Sequence, residues 1–390
     1  MLNAFAPPFR LVAAYFICGC LYLAVAIFLL TAYREDLLEL GFVAFAHAFL
    51  LGFVINVILG ALYQLTSVIL EKHFYSIKGA FVNCIIQNIS IAGLIISFYI
   101  DNMFYALIFG VFSALSMLYF CALFLLTFCT DFKLRFASIC LMLAGVFMVC
   151  AMVFALSLLL FFNDIMLFSY ELSLNLHIFF ALGFVYFVSI GAASVLVPMF
   201  ALSHKHKFLA SKIAIALFFC SLLQSMFSPY YRFMLVLSVV LFVYDLSAVI
   251  RKRVRKQVDY WNLNLYFALA FLPISGLLFV FSYEKEALFA LFFGSLAPFI
   301  IAHIYKILPF LIWFHYVSPF VGKGKVPMLA DMVDKKAAYL TFLANVLGCL
   351  FLYINELEAA IAILAFSYLF FAINLYKIFK YTRFSLEKKC

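Results

Sequence analysis

The feature that most constrains this chain is the run Phe42–Leu70, FVAFAHAFLLGFVINVILGALYQLTSVIL, which holds no full charge. A stretch of that length and apolarity reads as a membrane-spanning helix. It carries one ionisable side chain, His47, followed by Gly52, Gly60 and Tyr63. The pattern returns in LHIFFALGFVYFVSIGAASVLVPMF as His177, Gly183, Gly191 and Pro198. An imidazole in hydrocarbon is costly enough to mark a functional site by default, and two in matching frames sharpen that reading.

The rest of the chain has the same character. It is 69% hydrophobic and 11% charged, against about a quarter charged in soluble domains. No polar segment is long enough for a soluble domain, so residues 1–390 read as a single integral membrane domain. The fold class is all-α, and cutting at charged and turn-forming breaks gives twelve spans. They cover 10–32, 41–70, 80–100, 103–129, 136–162, 172–202, 209–228, 231–250, 262–282, 287–315, 337–354 and 359–379. The first run, Leu11–Leu30, has no clear signal-peptide cleavage site and is read as a retained span.

Charge then orients the spans. The N-terminus, the even-numbered loops and the tail hold 22 of the 26 Lys and Arg residues. The odd-numbered loops hold Arg34, Arg232 and Lys285, and Lys306 lies inside span ten. Positive loops stay cytoplasmic, which puts both termini inside a cytoplasmic (inner) membrane. The acidic residues Glu35, Asp36, Glu39, Glu171 and Glu356 then fall outside. The basic patches are topology signals and contacts to anionic membrane lipids, and nucleic acid is not an expected partner. The ten cysteines sit mostly inside apolar runs and read as small buried residues, Cys18-x-Cys20 included.

Orientation gives the histidines their depth. His47 lies eight residues past Glu39 and His177 six past Glu171, so both sit at similar depth in the outer leaflet. His303 lies 17 residues past Glu286, deeper in the membrane, and His315 falls at the inner end of span ten. His73, His204 and His206 are loop residues. Span ten reads as a third, degraded copy of the pattern: Gly294 and Pro309 align with Gly183 and Pro198, and Phe289, five residues before Gly294, takes the place that His47 has before Gly52. The copies recur every four spans, which suggests three four-helix units. Lys306, three residues past His303 on the same face, either snorkels to the basic side or marks a polar path or an anionic group.

Neutral imidazole ligates haem iron and copper through one ring nitrogen. The bland alternative is a core histidine donating one hydrogen bond to a neighbouring helix. Depth favours His47 with His177 as a metal- or haem-binding pair. Gly52, Asn56 and Gly60 share a face roughly opposite His47, so that stripe is assigned to helix packing.

Twelve spans in three arcs of four, with histidines in spans two, six and ten, resemble subunit I of the haem–copper oxidase superfamily. The string HAFLLGFVINVILGALY is also similar to the H-x4-G-F-x6-G-F-L motif of the NnrS family, twelve-span proteins that bind haem and copper and are linked to nitric oxide stress. The resemblance implies a haem b-binding protein of electron transfer or of a nitric oxide- or metal-linked stress response, with copper as a further cofactor. It implies His47, His177 and His303 as cofactor- and metal-binding residues, and prefers His47 with His303 as the haem pair. Quinol, a small gas or a respiratory-chain protein would be the partner. Span seven has no histidine and span ten only His303 well inside it, so a complete binuclear centre is not implied. The rival reading is a secondary transporter of a small solute or metal, with Pro273, Pro298 and Pro309 interrupting spans nine and ten.

The orientation has a direct check. A fluorescent reporter fused after Cys390 should fluoresce in the cytoplasm, and a phosphatase fused there should be inactive. A fusion active only in the periplasm would reverse the orientation and every histidine depth.

Overall fold

The computed structural model describes residues 5–33, 36–129, 135–203, 206–254 and 256–385. Arg34, Glu35, Lys133, His204, Lys205, Arg255 and the tail from residue 386, which enter the charge and loop-histidine readings, lie outside the described residues. Among the described residues all regular structure is helical. Hydrocarbon offers no water to backbone N–H and C=O groups, and a helix satisfies them within one segment.

Among the described residues eleven helices are long and apolar enough to cross a membrane. In the first unit they are α1 (Phe9–Leu29), α2 (Leu40–Leu70), α3 (Ile77–Tyr99), α4 (Met103–Cys129), α5 (Phe136–Phe161) and α6 (Tyr170–Ala201). The segment expected as span seven forms α7 (Leu209–Ser225), an apolar helix of 17 residues and shorter than the others. It ends at Ser225, and a turn over 226–227 follows ahead of Pro229. The remaining helices are α8 (Tyr231–Arg251), α9 (Tyr260–Val280), α10 (Glu284–Phe320), α11 (Lys335–Tyr353) and α12 (Leu357–Lys380). A polytopic membrane protein follows. The helices group into two compact units, Met1–Phe208 with α1–α6 and Leu209–Cys390 with α7–α12.

In the first unit, α1 and α2 approach closely through glycines. A methyl group at Gly52 would lie 2.6 Å from the Tyr22 ring, one at Gly60 2.9 Å from Tyr15 and Phe16, and one at Gly19 2.8 Å from Val57. The Gly52–Gly60 stripe is therefore a packing surface for α1, as its position opposite His47 suggests. Beside it, α3 and α4 meet through a buried polar link: Ser116 Oγ donates to Asn83 Oδ1 at 2.8 Å, and Asn83 Nδ2 donates to Tyr15 Oη at 3.3 Å.

Two helices depart from regular α geometry. In α2 a regular segment Leu40–His47 gives way to a π-helix, Ala48–Ile55, before regular turns resume at Asn56. In α10 the regular segment Glu284–Phe289 gives way to a π-helix, Ala290–Leu296. Each π segment starts directly after the frame position, His47 in one and Phe289 in the other, and each has its glycine at the fifth residue. Gly294 packs on Phe271 of α9 as Gly52 packs on Tyr22 of α1. A widened helix leaves carbonyls poorly satisfied, and side-chain amides cover them. Asn56 Nδ2 donates to Gly52 O at 2.7 Å, and Asn345 Nδ2 of α11 donates to Phe293 O at 2.9 Å. The span-ten copy of the span-two pattern thus extends to backbone geometry. The span-six copy does not, because α6 is regular over its 32 residues.

α2 and α10 are also the most buried helices, at 72% and 78% of their apolar windows, against 56% for α6. Two of the cations that stand apart from the basic loops have acidic partners. Arg232 pairs with Glu284 at 3.2 Å, and Lys306 reaches Asp259 at the start of α9 at 3.0 Å.

Overpacking at such a glycine costs about 1–3 kcal/mol. Gly52→Ala and Gly294→Ala should each lower the thermal midpoint of the purified protein, and adding Tyr22→Ala to Gly52→Ala should recover part of the loss. A neutral Gly52→Ala would contradict the close α1–α2 approach.

Candidate metal centre

His47 closes the regular first segment of α2, and the π-helix begins at the next residue. Its Nδ1 donates to the carbonyl of Val43, one turn earlier, at 2.8 Å. His177 lies near the start of α6 and reaches across to α5, where its Nδ1 donates to the Ala151 carbonyl at 3.1 Å. A carbonyl can only accept, so in each neutral ring the proton sits on Nδ1 and the lone pair on Nε2. Among the described residues no donor reaches either Nε2.

The two rings lie together. Their centres are 6.4 Å apart and their planes differ by 12°. The matched depth read from sequence is therefore a real juxtaposition, formed inside one compact unit by α2 and α6. The centres are too far apart for face-to-face contact of two imidazoles.

The surroundings are apolar and aromatic. The Phe98 ring of α3 lies 5.0 Å from the His47 ring. One turn from His177, Ser173 and Ser157 share a buried hydrogen bond of 2.9 Å that ties α6 to α5. Three residues on from His177, Phe180 packs between Phe147 and Phe154, on either side of Ala151. Together these contacts fix the α5 carbonyl that orients His177.

His303 belongs to the second unit. It is buried in α10, donates Nδ1 to the Phe299 carbonyl at 2.7 Å, and lies against the Phe299 ring at 4.4 Å. Lys306, on the same stretch of helix, does not join it in a polar path. Its ammonium pairs with Asp259 and lies 5.3 Å from the Trp261 ring, so it leans toward the end of the helix. His315 sits in the final π turn of α10, Trp313–Val317, and His206 packs on Phe208. The nine described cysteines are free thiols. Among the described residues no group of three or more His, Cys, Asp or Glu side chains converges. α10 stays helical across Pro298 and Pro309, and the buried Asp245 accepts from Ser211 N and Oγ at 2.6 and 2.8 Å. Neither feature supplies the unwound binding site that a carrier uses.

Sequence reasoning finds both rings but not what holds them. The Val43 and Ala151 carbonyls are backbone groups with no signature in residue type. Phe98 is one of 53 phenylalanines. The π segment after His47 had one visible sign, the Gly52 shared with Gly294. Comparison with family models and with curated proteins finds no match.

Proposed function

We propose that this chain is a membrane haem b-binding protein of the haem–copper oxidase-like or NnrS-like kind, with His47 and His177 as the two axial ligands. The observation that carries the reading is the pair of near-parallel imidazoles 6.4 Å apart, each anchored through Nδ1 to a backbone carbonyl. Ligating histidines regularly donate their second nitrogen in this way, which fixes the tautomer and raises the basicity of the ligating one. Two imidazoles with no third donor among the described residues would serve to hold haem iron, and fall short of the four ligands of a structural zinc site.

Bound haem b would supply one-electron redox chemistry at this depth. The residues then have separate tasks. Val43 and Ala151 hold the rings in register through their carbonyls. Phe98 and the Phe147–Phe154–Phe180 cluster exclude water and keep the local dielectric low. Because both imidazoles would be taken up in holding the haem, the pair favours electron transfer, with quinol or a respiratory-chain protein as donor, over direct gas binding. On the charge-derived orientation the site lies toward the external side.

A second reading is favoured by the same absence of a third donor among the described residues. Two imidazoles in line also suit a single copper ion, for which imidazole is a suitable ligand. His303, the alternative partner of His47 on the family resemblance, stands second to His177 because only His177 shares a compact unit and a ring contact with His47.

Protein purified after expression with ample haem should give a reduced-minus-oxidised spectrum with a b-type α band. His47→Ala and His177→Ala should each abolish or convert that spectrum, while His206→Ala leaves it intact. A colourless wild-type protein would overturn the haem reading. One copper per chain, lost in both variants, would then decide for the copper site.

A further inference from the structure

The second unit carries a hollow of about 700 Å³ where α12 ends beside the start of α11. Asp331, Asp334, Lys377, Lys380, Tyr381 and Arg383 are among its lining residues. Its acids are already committed. Asp334 Oδ2 pairs with the Lys377 ammonium, and Asp334 Oδ1 caps α11 by accepting from Ala337 N at 3.2 Å. The Lys377 hydrogen bond, helped by that backbone N–H, holds the Asp334 carboxyl below the usual carboxylate range, so it stays ionised and paired at neutral pH. Asp331 Oδ2 accepts from Met328 N at 2.9 Å, and its carbonyl accepts from Tyr381 Oη at 3.3 Å.

The cations left over are Lys380 and Arg383. Both are exposed, and neither has an acidic partner among the described residues. Lys380 Nζ lies 4.9 Å from the Tyr376 ring, which holds the ammonium at the rim of the hollow. This end of the unit also carries Lys323, Lys325, Lys335 and Lys336 in the adjoining loop and helix start.

The outer face of α12 leads to the same place. Phe366, Leu369, Ile373 and Tyr376 are exposed large apolar side chains at helical spacing, and the next position along that stripe is Lys380. An apolar stripe ending in a cation is the shape of a lipid: acyl chains along the helix, headgroup at its end. Guanidinium and ammonium groups both bind phosphate oxygens well.

We propose that this hollow binds a phosphate-bearing anion through Lys380 and Arg383. The apolar stripe names an anionic phospholipid headgroup as the source.

The test uses the full-length protein in nanodiscs of phosphatidylglycerol or phosphatidylcholine, with retained lipid counted by native mass spectrometry. Wild type should retain phosphatidylglycerol over phosphatidylcholine, and raising the salt should weaken that preference. Lys380→Gln with Arg383→Gln should reduce phosphatidylglycerol retention about ten-fold or more, since each loses a charge-assisted hydrogen bond to the headgroup phosphate. Lys323→Gln with Lys325→Gln should leave it nearly unchanged. Each single variant should show a smaller loss, which keeps the test valid if the double variant misfolds. Inorganic phosphate that bound alone and displaced the lipid would support the anion site and make free phosphate its source. Equal retention of the two lipids by wild type, or full retention by the double variant, would overturn the proposal.

Discussion

Backbone carbonyls with no water to bond govern this structure. Inside a bilayer each one must find a donor in the protein, and a regular helix provides it. Where α2 and α10 widen into π-helices that supply weakens, and Asn56 and Asn345 bring carboxamide donors to Gly52 O and Phe293 O. The histidines obey the same rule from the other side. Each buries an N–H that needs an acceptor, and Val43 and Ala151 provide carbonyls for His47 and His177. Satisfying the backbone and orienting the rings are thus one problem with one solution.

Much of this was legible from residue order, for definable reasons. Span positions follow from apolar run length. The shared level of His47 and His177 follows from counting along helices of fixed rise. The Gly52–Gly60 stripe follows from helical periodicity, and α1 packs on it as small residues predict. What stayed hidden depends on lateral geometry. A π segment changes no residue type, so Ala48–Ile55 looks like any apolar helix. The Ala151 carbonyl that anchors His177 comes from α5, and no sequence count along α6 points to it. The expected seventh span is a shorter helix, ending at Ser225 ahead of a turn.

The two units use one device twice. In each, an aromatic residue of the preceding helix, Tyr22 or Phe271, fills the groove over a glycine in a π segment. In each, an asparagine covers a carbonyl of that segment. The difference lies at the residue before the π segment: His47 in the first unit, Phe289 in the second. Phenylalanine fills the space and offers no ligand. The shared geometry is therefore scaffold, and the imidazole is what the first unit adds to it. That division separates the glycine and the backbone distortion, which both units have, from His47, which stands where the second unit has Phe289.

The central claim is that His47 and His177 bind one metal between them as near-parallel axial ligands. Electron paramagnetic resonance of the oxidised, haem-loaded protein tests it most directly, because low-spin ferric haem reports both the identity and the relative orientation of its axial imidazoles. Ring planes 12° apart predict a rhombic low-spin signal of a bis-imidazole centre, lost in His177→Ala. A high-spin signal in the wild type, or a low-spin signal that persists without His177, would contradict the account.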